Sequence, residues 1–171
     1  MSSKASGVTF LGNPLTLSGP LPAVGKPAPD AVVLDGGLKP VRLSDYRGKT
    51  VVLVTVPSLD TPVCDTETRR FNKEAAALGE KVVVLAVSMD LPFAQARWCG
   101  AAGVQRVLAL SDHRDAALGT AYGVLIKELR LLARSVFVIG ADGVLRYEQL
   151  VSEVTHEPDY EAVLKAVRAA L

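Results

Sequence analysis

Sulfur is scarce in this chain: among 171 residues there are two cysteines, Cys64 and Cys99. So few exclude the disulfide framework that staples small secreted domains, and leave two thiols to be read as reactive or buried. Neither sign of charge is in excess, with 19 Lys and Arg against 18 Asp and Glu and a net charge of +1. That balance argues against a nucleic-acid partner and against an acidic solvating tail. No apolar run is long enough to span a bilayer, so no membrane partner is expected. The opening stretch MSSKASGVTFLGNPLTLSGPLP lacks the continuous apolar segment of a secretory leader. The compartment expected is the cytoplasm, where thiols are held reduced. The two cysteines and two histidines, His113 and His156, lack zinc-finger spacing, and both histidines read as solvated loop or cap residues. There is no internal repeat, no P-loop, no Gly-x-Gly-x-x-Gly and no Gly-x-Ser-x-Gly.

What the chain does have is apolar content. At 49% hydrophobic residues it can bury a core without metals or staples, and residues 1–171 read as a single domain. Thr50–Val56 (TVVLVTV) and Lys81–Ser88 (KVVVLAVS) are near-continuous β-branched runs, the mark of central strands covered on both faces. Between them Phe71, Ala75 and Leu78 recur at helical spacing, and Asp65 stands four residues before Arg69. A strand–helix–strand unit of this kind favours a parallel pair. Around it the spacing predicts a hairpin over about residues 8–18, short strands at Ala31–Leu34 and Val41–Leu43, and a helix over Pro92–Gly100 ended by Gly100. Further on it predicts a strand at Val107–Leu110, a helical turn or two in Arg114–Tyr122, and a hairpin of Arg134–Ile139 with Val144–Val151 about Gly140–Gly143. Pro158 is expected to open a last helix, with Tyr160, Val163, Leu164, Val167 and Leu171 inward and Glu161 and Lys165 as an outer pair. The fold class is α/β, a mixed central sheet with helices on both faces.

Chemistry concentrates in PSLDTPVCDTETRRFN, Pro57 to Asn72. Thr61 suits a helix cap and Pro62 the first helical position, which puts Cys64 third. A capping box carries Glu or Gln there; here a thiol takes that place. Free N–H groups and the helix dipole favour an anion at that point, and thiols so placed are more acidic than free cysteine. The competing reading is a small buried hydrophobe. Neighbouring hydroxyls and Pro57 describe a polar cup and favour reactivity. Cys99, beside Trp98 and before Gly100, lies far outside Cys-x-x-Cys spacing, which excludes a thioredoxin-type motif; alone it reads as structural. Arg134, at the head of RSVFVI, reads either as a strand-end ion pair or as a guanidinium aimed at the thiolate.

Taken in order, "PSLDTPVC", "RRFN", "SMDLPFAQARWC" and "ARSVFVI" closely resemble the thiol peroxidase family of atypical two-cysteine peroxiredoxins. "FLGNPL", "LSDHRD", "YGVLI" and "THEPDY" extend the resemblance over nearly the whole chain. Trp98 departs from it, since the family usually has Phe before the second cysteine, and Lys127–Leu132 carries little of it. The resemblance implies a thioredoxin-like fold with an added N-terminal β-hairpin. It implies that Cys64 is the peroxidatic cysteine and Cys99 the resolving one, joined in turn by an intramolecular disulfide, and that Pro57, Thr61 and Arg134 complete the active-site cup. Hydrogen peroxide and alkyl hydroperoxides become the expected substrates, thioredoxin the reductant and a homodimer the assembly. No metal, haem or flavin is expected. Leu59 and Leu91–Pro92–Phe93 are candidates for an apolar wall. A disulfide reductase would share the fold, but this chain lacks the adjacent cysteine pair such an enzyme uses; a non-catalytic binding module would not need Thr61, Cys64 and Arg134 together. Cys64 and Cys99 fall on separate helices, and a disulfide needs Cα atoms within roughly 7 Å, so local unwinding around both is expected.

Overall fold

A computed structural model describes residues 7–171; residues 1–6, which the readings of a single domain and of the missing leader also take in, lie outside it. The elements, in chain order, begin with β1 (Thr9–Phe10), β2 (Asn13–Pro14), β3 (Val32–Leu34), β4 (Pro40–Arg42), a 3-10 turn at Leu43–Tyr46 and β5 (Thr50–Thr55). There follow α1 (Pro62–Leu78), β6 (Val82–Ser88), α2 (Pro92–Ala102), β7 (Val107–Ser111) and α3 (Ala117–Ala121). The chain ends with β8 (Leu125–Ile126), β9 (Leu131–Leu132), β10 (Ser135–Ile139), β11 (Leu145–Leu150) and α4 (Tyr160–Ala170).

Seven strands form the central sheet in the order β11-β10-β5-β6-β7-β3-β4. The β5–β6 and β6–β7 pairs are parallel, as the long helical crossovers between them require. The remaining pairs are antiparallel, so the sheet is mixed as the sequence implies. Strand alternation splits the core in two. Val51, Leu53, Leu85, Val87, Phe137 and Ile139 face one cluster, which also holds Leu118 and Tyr122. Val52, Val54, Val84, Ala86, Val136 and Val138 face the other, completed by Phe71 and Ala75 of α1 and Tyr160, Val163 and Val167 of α4. Trp98 and Ala102 of α2 pack against this second cluster as well. The long helices thus crowd one face. On the other lie short α3 and the connector before β3, tied down by bonds such as Ser18 N–H to the Leu125 carbonyl (2.9 Å) and Tyr122 O–H to the Pro29 carbonyl (2.7 Å).

Several boundaries differ from expectation. Gly100 does not stop α2: its N–H keeps the helix going at a cost of about 1 kcal/mol, and the chain turns at Gly103, whose φ of +66° makes the left-handed cap. Pro158 precedes α4, but Asp159 is its cap, its carboxylate accepting from Ala162 N–H at 3.1 Å. Glu161 pairs at 3.7 Å with Arg70 of α1 instead of with Lys165, because α4 lies against α1 there. The β8–β9 hairpin, Leu125–Ile126 against Leu131–Leu132, has no counterpart in the sequence reading.

One glycine is required by a close approach. Gly123, just past α3, has φ +70°, and a Cβ there would meet the Pro20 carbonyl oxygen at 2.2 Å. Both left-handed strain and an unyielding backbone clash oppose any side chain. Gly123→Ala is expected to cost on the order of 2–4 kcal/mol in urea unfolding. A loss under about 1 kcal/mol would mean that the Gly19–Pro20 backbone yields and that the connector is not packed tightly.

Candidate active site

The site sits where β5 ends and α1 begins, and the sheet brings Arg134 to it. Because β10 runs antiparallel to β5 with Ser135 opposite Thr55, the start of β10 lies beside the end of β5. Thr55 reinforces that junction, its Oγ1 donating to the Ala133 carbonyl at 2.7 Å and sharing a short hydrogen bond with Ser135 Oγ. Arg134 is therefore delivered to the first turns of α1 from across the strand pair.

Pro57 is buried at the exit from β5. The loop that follows is held to the end of β6 by Asp90, which accepts from Ser58 Oγ at 2.6 Å and Leu59 N–H at 2.8 Å. Ser88 Oγ donates to the same carboxylate at 2.6 Å and receives Gln95 Nε2 at 3.0 Å. This buried lattice sets where α1 starts. Thr61 occupies the cap position with extended backbone, and Pro62 the first turn, as read from sequence. The Thr61 hydroxyl, however, does not cap the helix: it donates to the Ser58 carbonyl at 3.0 Å. With no side-chain cap on this turn, the first N–H groups of the helix, those of Val63 and Cys64 among them, have no side chain accepting from them, as suits a site for an anion.

Cys64 is closed to solvent. Its Sγ accepts a hydrogen bond from Arg134 Nη2 at 3.2 Å, and the ion pair this arginine makes, with Glu67, is buried and not at the surface. The guanidinium is itself only 2% exposed, and its N–H groups are widely engaged. Nε and Nη2 donate to the Val154 carbonyl at 3.0 and 2.9 Å, and Nη1 donates to Glu67 Oε2 in a short, fully buried ion pair. Val154 is in turn fixed by the N-terminal hairpin, its N–H donating to the Thr9 carbonyl at 2.9 Å, while Glu153 accepts from Leu11 N–H at 2.9 Å and from Thr9 Oγ1.

Glu67 is a site residue that sequence reasoning missed. It lies one turn beyond Cys64, and the inner face of α1 runs Cys64, Glu67, Thr68, Phe71, Ala75. Extending the Phe71–Ala75 stripe back towards the N-terminus lands on it, which was the available signal. Burial pushes its carboxyl up to about 7, against the opposing charge and hydrogen bond of Arg134 and with added repulsion from Glu157. Its Oε1 has no hydrogen-bond partner. On Arg134 burial acts the other way, but Glu67 and Cys64 outweigh it and raise its pKa, so the guanidinium stays charged.

Cys99 is not brought to Cys64. Both are free thiols, and half-buried Cys99 lines a groove with Gly36, Val41, Ala96 and Val107, on the β3–β4 side of α2. Burial raises the pKa of its thiol. Thr61, Pro62, Asp65, Arg69 and Trp98 line a separate cleft of about 410 Å³ outside the first turn of α1. Leu59 reaches this cleft, whereas Leu91 and Phe93, 52% and 65% exposed, are not among its lining residues, so only part of the expected apolar wall is in place. Among the described residues no group of three or more His, Cys, Asp and Glu could hold a metal ion, and no helix is long and apolar enough to cross a membrane.

The Redoxin family matches residues 23–164. A thiol peroxidase of Halalkalibacterium halodurans is 55% identical over 96% of this chain and 98% of its own length, and one of Bacillus subtilis is 54% identical over 95% and 96%. Among solved structures, a peroxiredoxin-like protein from Aquifex aeolicus superposes with a TM-score of 0.89 at 45% identity, covering 96% of each chain. A thiol peroxidase from Chromobacterium violaceum, 19% identical, shares the fold with a TM-score of 0.85 over 95% of each chain.

The raised Glu67 carboxyl carries a pH signature. Folding stability contributed by this group is fully present below its unfolded value of about 4.5 and is lost as pH rises through about 7, because the native state holds the proton longer. Compared with Glu67→Gln, the wild type should lose roughly 2–3 kcal/mol more between those limits in urea titrations at several pH values. Parallel curves for the two proteins would show that the Glu67 carboxyl is not raised by folding.

Proposed function

We propose, for a chain that belongs to the thiol peroxidase family of redoxins, a peroxide-reducing cycle run by Cys64 and Cys99. The protein is a thiol-dependent peroxidase of the peroxiredoxin type. The observation that carries the mechanism is the Arg134 guanidinium donating to buried Cys64 Sγ at the mouth of α1. That contact sets a cationic donor directly on the sulfur that the cycle uses as its nucleophile.

In the first step the Cys64 thiolate attacks one peroxide oxygen and the O–O bond breaks. Sulfur is oxidised to a sulfenic acid, and the other oxygen leaves as an alcohol or water once it takes up a proton. Charge builds on that leaving oxygen, so donors already aimed there lower the barrier. Val63 and Cys64 N–H, the Arg134 fork and the Thr61 hydroxyl, once released from Ser58, supply them, while Pro57 shields the sulfur from water. In the second step Cys99 sulfur attacks the sulfenic sulfur, a disulfide forms and water leaves. Burial disfavours the Cys99 thiolate in its groove, so leaving the groove both moves and activates it. Thioredoxin then reduces the disulfide by thiol exchange.

The substrates proposed are hydrogen peroxide and alkyl hydroperoxides, with Leu59 beside the cleft favouring the latter. Residues 1–171 are proposed to work as one domain, as a homodimer, in the cytoplasm, and without a cofactor. Peroxide consumption coupled to thioredoxin and its reductase tests the cycle: Cys64→Ser should be inactive, and Cys99→Ser should react once and stop at the sulfenic acid. Thr61→Val and Arg134→Met, folded by circular dichroism, should each lose on the order of 10²–10³ in the rate of peroxide attack. Sustained thioredoxin-driven turnover by Cys99→Ser would remove Cys99 from the cycle, and near-normal attack by either donor variant would make that residue structural.

A further inference from the structure

Asp65 follows Cys64 directly, and its two carboxylate oxygens are taken by different partners. Oδ1 accepts from Trp98 Nε1 at 2.9 Å, and Oδ2 accepts from Arg69 Nε at 2.9 Å. Arg69 then reaches across: its Nη1 donates to the carbonyl of Ala102, the last residue of α2, at 3.2 Å, and its guanidinium lies 5.9 Å from the Trp98 ring centre. A closed ring of contacts thus ties the first turn of α1 to the last turn of α2. It grips the residue after Cys64 and the residue before Cys99.

We propose that the Asp65–Trp98–Arg69 clip is a latch that sets the rate at which the oxidised Cys64 is resolved by Cys99. The proposal rests on the Cys64–Cys99 disulfide of the cycle above. For the two sulfurs to meet, Cys99 must leave its groove on the β3–β4 side and the first turn of α1 must open, and both motions pull on the clip. The N–H of Trp98 is the donor that closes it. Phenylalanine at this place would fill the space but could not donate. Trp98 and Asp65 are thus positioning residues: neither hydrogen-bonds to a sulfur, and both act by holding the two turns together.

The latch decides between two fates of the sulfenic acid. Condensation with the Cys99 thiol gives the disulfide and water. Reaction with a second peroxide adds another oxygen to sulfur, giving the sulfinic acid and one more alcohol or water. A latch that holds longer lengthens the exposure to the second fate, so this chain is tuned towards over-oxidation at high peroxide.

The test separates the steps. Reduced wild type, Trp98→Phe and Arg69→Met are mixed with one equivalent of cumene hydroperoxide, quenched at intervals by acid and thiol alkylation, and followed by intact mass. Sulfenic acid should form in Trp98→Phe at least as fast as in the wild type, because the same turn opens to admit peroxide, and the step that follows is timed separately. Disulfide should follow about fivefold faster in Trp98→Phe and in Arg69→Met, as expected for loss of one charge-assisted hydrogen bond at a half-exposed site. At excess peroxide the sulfinic fraction should fall in both. Disulfide formation by Trp98→Phe at or below the wild-type rate overturns the latch. Arg69→Met decides by the same criterion if Trp98→Phe does not fold. A wild type that never forms the disulfide overturns the cycle itself, a result distinct from either.

Discussion

Everything at this site depends on one buried cation. Arg134 sits out of reach of water between a thiol and a carboxyl, with the Val154 carbonyl holding it from behind. An unpaired guanidinium could not persist there, and two ionised acids around one guanidinium would leave a net buried negative charge. Glu67 relieves the excess by holding its proton towards neutrality, as burial raises its carboxyl to about 7. The carboxyl is thus both an anchor for the guanidinium and a competitor for it. Its unpartnered Oε1 shows that the anchoring is incomplete, which fits a group whose charge is meant to be marginal.

The fold makes this cation possible by topology before chemistry. A parallel strand pair needs a helix between its strands, so the end of β5 must open into a helix N-terminus. An antiparallel β10 beside β5 must begin at that same end. The residue preceding β10 therefore meets the first turns of α1 whatever its identity, and an arginine there becomes a site residue. The N-terminal hairpin completes the construction by fixing Val154 through Thr9 and Glu153. It is small in buried apolar area, yet it holds the carbonyl on which the guanidinium leans.

Much of this was legible from local pattern. The β-branched runs at 50–56 and 81–88, the helix between them and the place of Cys64 within its first turn all follow from periodicity and from Thr61–Pro62. The role of Arg134 needed the pairing of β10 with β5, which no local window contains. Thr61 shows the limit of motif reasoning: the residue type and position fit a cap, but the nearby Ser58 carbonyl competes for the hydroxyl. Glu67 was overlooked because a glutamate in the first turns of a helix normally points to water, and only the neighbouring cation makes its burial tolerable. Gly100 misled in the opposite direction. Glycine lowers helix stability without ending a helix, and the stop needs a left-handed residue, which is Gly103.

Closure of Cys64 has a dynamic consequence. A thiol that water cannot touch cannot be reached by a larger peroxide, so the proposed cycle needs the first turn of α1 to move before chemistry as well as after it. That turn is suited to the task. It has no side-chain cap, it begins with a proline that donates no hydrogen bond, and its outer residues are exposed. Beneath it the β5–β6–β10 core is continuously apolar and buried, so opening the turn leaves the sheet intact. Across the cleft, Gly100 inside α2 weakens its last turn by about 1 kcal/mol relative to alanine. The molecule therefore concentrates its low-stability segments around the two thiols, and the Asp65–Trp98–Arg69 contacts are the ones that span both.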